Sequence, residues 1–136
     1  MIIKEFISET NKNQMITILL KHYKVESVKV KLKSMKGHAN YDVDRGTLEL
    51  STKYKTIKPS QIKQFLITII HEIRHAMDAK KYGWKRFKGM YEYEMNYQIS
   101  QNKDKYKDNK YEIEAEDFGQ DNWKKWYTKF KKEGLF

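Results

Sequence analysis

The spacing of hydrophobic residues changes along the first half of the chain. Over residues 10–24 apolar positions recur every three or four residues, which is typical of an amphipathic helix with Thr10 or Asn11 near its N-cap. Over residues 27–34 valine and leucine alternate with lysine, the pattern of a half-buried strand. Shorter strand patterns follow at residues 41–43 and Thr47–Ser51, each after a turn. We therefore expect a helix followed by a small meander.

The second half contains the strongest helical pattern. Pro59 suits a first helical turn because it has no N–H to leave unpaired. A broad apolar stripe then runs to about Tyr82, where Gly83 is a plausible stop. Residues 84–100 are aromatic and mixed, residues 101–110 form a polar stretch typical of an exposed loop, and residues 111–132 predict a last helix.

These elements predict one domain over residues 1–136, because that length allows a real core but not two ordinary domains. We expect an α+β fold in which a small, mostly antiparallel three-stranded sheet packs on the first, the long and the last helix. The aromatic groups around Phe87 and Trp126 are interpreted as core or partner contacts.

The net charge of +10 comes almost entirely from lysine, since there are three arginines. Such a surface could attract nucleic acid or an acidic protein. It could equally reflect a compositional bias that places lysines on solvated faces. The scarcity of arginine favours the second interpretation, because phosphate and base contacts favour arginine forks.

Two observations bear on location and on cofactors. The first five residues lack a basic region followed by an apolar stretch, and the longest apolar run, residues 65–70, is far short of the roughly 20 residues that span a bilayer. We therefore expect a cytoplasmic protein with no membrane segment. The chain has no cysteine, so any metal must be held by histidine, aspartate or glutamate.

The most informative segment is His71-Glu72-Ile73-Arg74-His75, within the long helix. Residues four apart on a helix share one face about 5–6 Å apart, which lets His71 and His75 bind a single Zn²⁺. Glu72 lies about 100° round the helix and can reach a metal-bound water as general base. This is the H-E-x-x-H motif.

A catalytic zinc usually takes three protein ligands, and no histidine follows His75. The best source of the third ligand is the acidic cluster at residues 112–117, on the last helix. His38, in a glycine-containing turn, is a rival. Asp78 lies on the face of His75 and could orient a histidine or pair with nearby lysines, Lys81 or Lys85.

The motif together with the acidic helix resembles the gluzincins, and the E-x-x-A spacing of Glu112 and Ala115 is similar to the minigluzincins and to ImmA/IrrE-type metallopeptidases. The resemblance implies a zincin-like domain in which Glu112 is the third ligand, with Glu116 orienting a histidine; Glu114, Glu116 and Asp117 compete with Glu112 for the ligand role. It also implies an edge strand that binds substrate. The residues expected in that role are Leu48, Glu49, Leu50 and Ser51.

The function implied is a zinc metalloendopeptidase that hydrolyses peptide bonds of a protein or peptide substrate through a zinc-activated water. The alternative is a basic regulatory module that binds nucleic acid or protein and carries a structural or inactive zinc site. Peptide hydrolysis also requires a hydrogen-bond donor that stabilises the oxyanion of the transition state. Tyr82, Tyr93 and Tyr97 lie downstream of the motif and could serve, but the sequence does not select among the ten tyrosines.

Overall fold

The computed structural model describes residues 6–136, so the expectation about residues 1–5 falls outside the described residues. The chain is α+β, with helices around a small mixed sheet. In chain order the elements are α1 (Glu9–His22), β1 (Lys29–Lys33), β2 (Ala39–Asp42), β3 (Thr47–Ser51), α2 (Ile62–Tyr82), α3 (Trp84–Ser100) and α4 (Lys110–Lys132). Short 3₁₀ turns at Thr52–Tyr54 and Pro59–Gln61 lead into α2.

The first helix begins slightly earlier than predicted. Ser8 is its N-cap, and the Ser8 hydroxyl accepts a hydrogen bond from the backbone N–H of Asn11 at 3.1 Å. Met15 and Leu19 then point into the core with no exposed surface. The helix pattern was correct, but the cap is the serine that precedes Thr10 and Asn11.

The sheet differs from the predicted antiparallel meander. Its strand order is β1-β3-β2, with β1 parallel and β2 antiparallel to β3. Only β2 and β3 form a hairpin, over a turn in which Asp42 Oδ1 accepts from the N–H groups of Asp44 and Arg45 and Gly46 adopts φ +60°. Strand β1 crosses to the far side of β3, so β3 is the central strand.

Helix α2 is the structural centre of the molecule. It follows the Pro59–Gln61 turn and ends at Tyr82, where Gly83 has φ +84°. Its buried residues include Phe65, Leu66 and Ile69, which contact the core formed with α1 and the sheet. The long helix and its glycine stop are confirmed.

The aromatic segment after Gly83 is a full helix, α3, which its mixed pattern did not predict. No helix within residues 6–136 combines the length and apolar character needed to cross a membrane.

Helix α4 lies against α2 at close range. Ala115 has no exposed surface, and a Cβ placed on Gly119 would come within 2.8 Å of the backbone oxygen of Ile67. The two helices therefore approach more closely at Gly119 than any side chain would allow.

Candidate metal centre

Three ligand-type atoms converge between α2 and α4. His71 and His75 lie one turn apart on α2, with ring centroids 5.2 Å apart. Glu112 lies in the first turn of α4, and its Oε1 is 2.8 Å from His71 Nε2 and 2.9 Å from His75 Nε2. The three ligand atoms all lie within 4.8 Å of one another. This group could hold a metal ion.

The helix contact explains why Glu112 meets the histidines. Ala115 and Gly119 follow Glu112 at helical spacing and face α2. The side chains on this face of α4 are therefore small enough for the two helices to approach closely. Arg74 adds a tie between the helices, since its guanidinium lies 3.8 Å from Glu114 and 5.3 Å from the ring centroid of Phe118.

The donor set fits a divalent transition metal. Two imidazole nitrogens and a carboxylate oxygen are a common zinc set, and other first-row metals also accept them. Ligand atoms of a tetrahedral zinc ion lie about 3.3 Å apart, whereas Glu112 Oε1 is 2.8 Å and 2.9 Å from the two nitrogens. An ion would therefore require the group to open by a few tenths of an ångström.

Further side chains hold two of the ligands in position. Glu116 Oε1 lies 3.0 Å from Nδ1 of His71, the ring nitrogen that faces away from Glu112. The Tyr91 hydroxyl donates to Glu112 Oε2, the oxygen that the histidines leave free. Both contacts fix the orientation of a ligand. The Glu116 carboxylate also raises the pKa of His71, whereas the hydrogen bond from Tyr91 lowers the pKa of Glu112.

The charges of this group are strongly coupled. Burial by itself would raise the pKa of Glu112, but its hydrogen bonds with His71 and His75 lower that pKa well below its usual range. Burial would lower the pKa of His71, but the hydrogen bond to Glu112 and the charge of Glu72 raise it to about 9. Both shifts favour an imidazolium–carboxylate pair between His71 and Glu112.

Glu72 lies beside this pair in a nearly closed environment. Its Oε1 is 3.9 Å from His71 Nε2, and the residue is 4% exposed. Burial raises the pKa of Glu72, although the adjacent histidines oppose that rise. Its Oε2 has no hydrogen-bond partner among residues 6–136. A buried carboxylate oxygen without a partner is costly in a structural role, so it suggests a ligand or water in function.

The structure does not bring His38 or Asp78 into this group. His38 Nδ1 lies 2.5 Å from the Tyr54 hydroxyl, and His38 is not among the three clustered ligands. Asp78 Oδ1 lies 3.5 Å from Arg74 Nε, so its partner is neither Lys81 nor Lys85. Asp78 Oδ2 and His75 Nδ1 are both buried and have no hydrogen-bond partner within the described part of the chain.

Three cavities surround the cluster. The first, about 340 Å³, lies over the start of α4 beside Ile113. The second, about 120 Å³, lies between β2 and α3. The third, about 310 Å³, contacts His38 and the start of β2. Tyr106, on the loop before α4, lines all three. Burial and the charges of Glu112 and Glu72 raise the pKa of the Tyr106 phenol, so it remains protonated near neutral pH.

The strand expected at the edge of the sheet is not an edge strand. Leu48, Glu49, Leu50 and Ser51 belong to the central strand, where they are buried and paired on both sides. The cavities beside the cluster are lined instead by Ala39, Asn40 and Tyr41 of β2, an outer strand of the sheet. The linear order of the strands suggested that the last strand was the edge, but β1 crosses over to cover it.

Sequence reasoning missed Tyr91, Tyr106 and Gly119. Tyr91 belongs to the aromatic group around Phe87, which was interpreted as core or partner contacts, yet its hydroxyl contacts Glu112. Tyr106 lies in a segment whose polar composition indicated only an exposed loop. Gly119 follows Ala115 by one helical turn, and small residues at that spacing are the one signal that could have indicated a close helix contact.

Comparison of the chain with protein-family models, with curated proteins and with solved structures finds no match.

Proposed function

We propose that the protein is a zinc-dependent endopeptidase. The observation that carries this proposal is the position of Glu72, a buried carboxylate with one unpartnered oxygen beside a group of two histidines and one glutamate. A structural zinc site needs no such base, because its four positions are closed by protein ligands. Here three side chains converge, and Glu72 lies beside them with its Oε1 3.9 Å from His71 Nε2.

The chemistry follows from these positions. A zinc ion bound by His71, His75 and Glu112 would supply Lewis acidity and lower the pKa of a bound water. Glu72 accepts the proton from the attacking water and delivers it to the leaving amine. Burial raises the pKa of Glu72, which makes its carboxylate a better proton acceptor.

The substrate is a protein or peptide segment in an extended conformation. Strand β2 pairs with β3 on one side, and its residues Ala39 to Tyr41 line two cavities beside the ligands. An extended segment could add to this strand through main-chain hydrogen bonds, the usual mode of recognition at a sheet edge. The scissile bond would then lie over the group formed by His71, His75 and Glu112.

The test is Glu72→Gln, which keeps the size of the side chain and removes the base. We expect this variant to retain zinc, measured by mass spectrometry, and to lose cleavage of an unfolded protein, measured by the appearance of new N-termini. Glu92→Gln, at an exposed position on α3, is the control and should keep both properties. Undiminished cleavage by Glu72→Gln would exclude the mechanism. Unchanged biological activity in that variant would favour a binding module.

A second candidate is a regulatory module that binds nucleic acid or an acidic protein and holds a structural or inactive zinc. It is favoured by exposed lysines in the C-terminal half of α4 that form no ion pair within residues 6–136. They are Lys124, Lys125, Lys129, Lys131 and Lys132. Salt-sensitive retention on duplex DNA that is lost on reversal of three of these charges would support it. No retention at low salt would exclude binding to nucleic acid.

A further inference from the structure

We propose that Tyr106 is the gate of the metal centre, a residue whose ring separates the cavities around the ligands and must swing aside to admit an ion or an extended chain. The inference rests on the proposed metal site but not on peptide hydrolysis, because an ion that reaches the ligands through any of the three cavities passes the same ring.

The arrangement of the three cavities places Tyr106 at their junction. Each cavity reaches a different part of the cluster, and Tyr106 is the only residue of the described chain that lines all three. The two cavities along β2 share only Glu72 and Tyr106. A chain lying along β2 from one cavity to the other must therefore pass between the buried base and this ring.

The three ligand side chains beside Tyr106 are largely shielded from solvent. The side chain of His71 is 13% exposed, and those of His75 and Glu112 are 7% and 8% exposed. Tyr106 itself is 53% exposed, so one side of it faces solvent while the other lines the cavities. A half-exposed side chain can change rotamer without disturbing a packed core.

The backbone around Tyr106 forms a turn with several internal hydrogen bonds, which favours motion of the side chain over motion of the backbone. Asp104 Oδ1 accepts hydrogen bonds from the N–H groups of Tyr106 and Lys107 at 2.8 Å and 2.6 Å. Asp108 Oδ2 accepts from the N–H of Asp104 at 2.9 Å. Asn109, fully buried, then caps α4. These local hydrogen bonds hold the turn around Tyr106 in one conformation, so we assign the opening to rotation of the ring.

This geometry also defines the class of substrate. With the ring in place the two cavities along β2 are separate, and with the ring rotated they would merge into one groove. A folded surface cannot enter such a groove, whereas an unfolded segment can. The gate therefore restricts the centre to extended chains.

The experiment measures metal exchange, which needs no catalysis. Zinc uptake by the metal-free protein and zinc release to a chelating dye are followed by stopped flow. We expect Tyr106→Ala to accelerate both rates at least about tenfold, since removal of a gate lowers the barrier in both directions. Tyr106→Phe keeps the ring and should match the wild type. Tyr97→Ala, which removes a ring of similar exposure (51%) on α3, should leave both rates unchanged.

The outcomes separate the gate from the metal site. If Tyr106→Ala exchanges zinc at the wild-type rates, the gate is excluded while the metal site stands. If Tyr106→Phe is as fast as Tyr106→Ala, the hydroxyl rather than the ring controls access, and the gate is again excluded. If the wild-type protein binds no zinc, the metal centre and the gate both fall. Accelerated exchange in a variant series without peptidase activity would support the gate and count against the proposed function.

Discussion

Tyr91 occupies the one oxygen of Glu112 that the histidines do not contact. Its hydroxyl holds the carboxylate in a single orientation, so that Oε1 faces both imidazoles. Burial and the charge of Glu112 raise the pKa of Tyr91 above its usual value, so the hydroxyl remains a donor at physiological pH. The orientation of the third ligand thus depends on a residue from α3.

We expect Tyr91→Phe to weaken zinc binding about 10–100-fold, the usual cost of removing a partner that orients a metal ligand. Competition with a chelator of known affinity measures the change. Tyr93→Phe is the matched control, because Tyr93 is 75% exposed and lines none of the cavities at the ligands. Equal affinities for wild type and Tyr91→Phe would show that the carboxylate needs no such support.

At the scale of single residues, the sequence predicts part of the candidate metal site. The spacing of His71 and His75 places both rings on one helical face, so their proximity follows from local geometry. The choice of Glu112 among four acidic residues does not follow from local geometry, because it depends on which side of α4 faces α2. The side chains of Glu114 and Glu116 are about half exposed, whereas that of Glu112 is 8% exposed. Only the tertiary contact distinguishes them.

Among the elements, the approach of α4 to α2 sets the position of the third ligand. Both helices follow from periodicity, and the α4 stop and start are close to the predicted bounds. The sheet was less predictable. Short strands carry no signal for parallel or antiparallel pairing, and the turn at Gly37 suggested a hairpin that β1 does not form. The parallel pairing of β1 with β3 is a non-local contact that joins residues on either side of β2, and the local pattern of each strand does not determine it.

Gly119→Ala tests the helix approach. The added Cβ would lie 2.8 Å from the backbone oxygen of Ile67, and backbone cannot yield as a flexible side chain can. We expect a loss of about 1–3 kcal/mol in the free energy of unfolding, together with weaker zinc binding because Glu112 moves with α4. Urea denaturation and chelator competition measure the two effects.

Gly89→Ala is the matched control, since Gly89 lies within α3 and a Cβ there would meet nothing within 4 Å. That variant should be more stable by about 0.5–1 kcal/mol, the usual gain for glycine to alanine within a helix. If both glycine variants were stabilised, the close approach of the helices would be wrong.

For the whole molecule, the central ion pair links folding to pH. The pKa of His71 is raised from 6.5 to about 9, so its contribution to stability is complete below pH 6.5 and is lost as the pH rises towards 9. The pKa of Glu112 is lowered from 4.5, so its contribution is present above pH 4.5 and is lost as the pH falls through the lower value. Both statements describe one interaction.

We therefore expect the metal-free protein to lose stability relative to Glu112→Gln between pH 6.5 and 9. Zinc must displace the same proton, so zinc affinity should rise with pH across this interval. Unfolding by urea at several pH values, with and without zinc, measures both trends. A difference between wild type and Glu112→Gln that stays constant with pH would contradict the proposed pairing of His71 with Glu112.

The central place of β3 also bears on how the chain folds. The β2–β3 hairpin needs only a short turn to close. The pairing of β1 with β3 closes a longer loop, because β2 lies between them in the sequence. Local contacts form faster because their loop-closure entropy is smaller. We infer a sequence of events in which the hairpin is part of the folding nucleus and β1 docks late. Substitutions in β1 should then accelerate unfolding, while substitutions in the hairpin should slow folding.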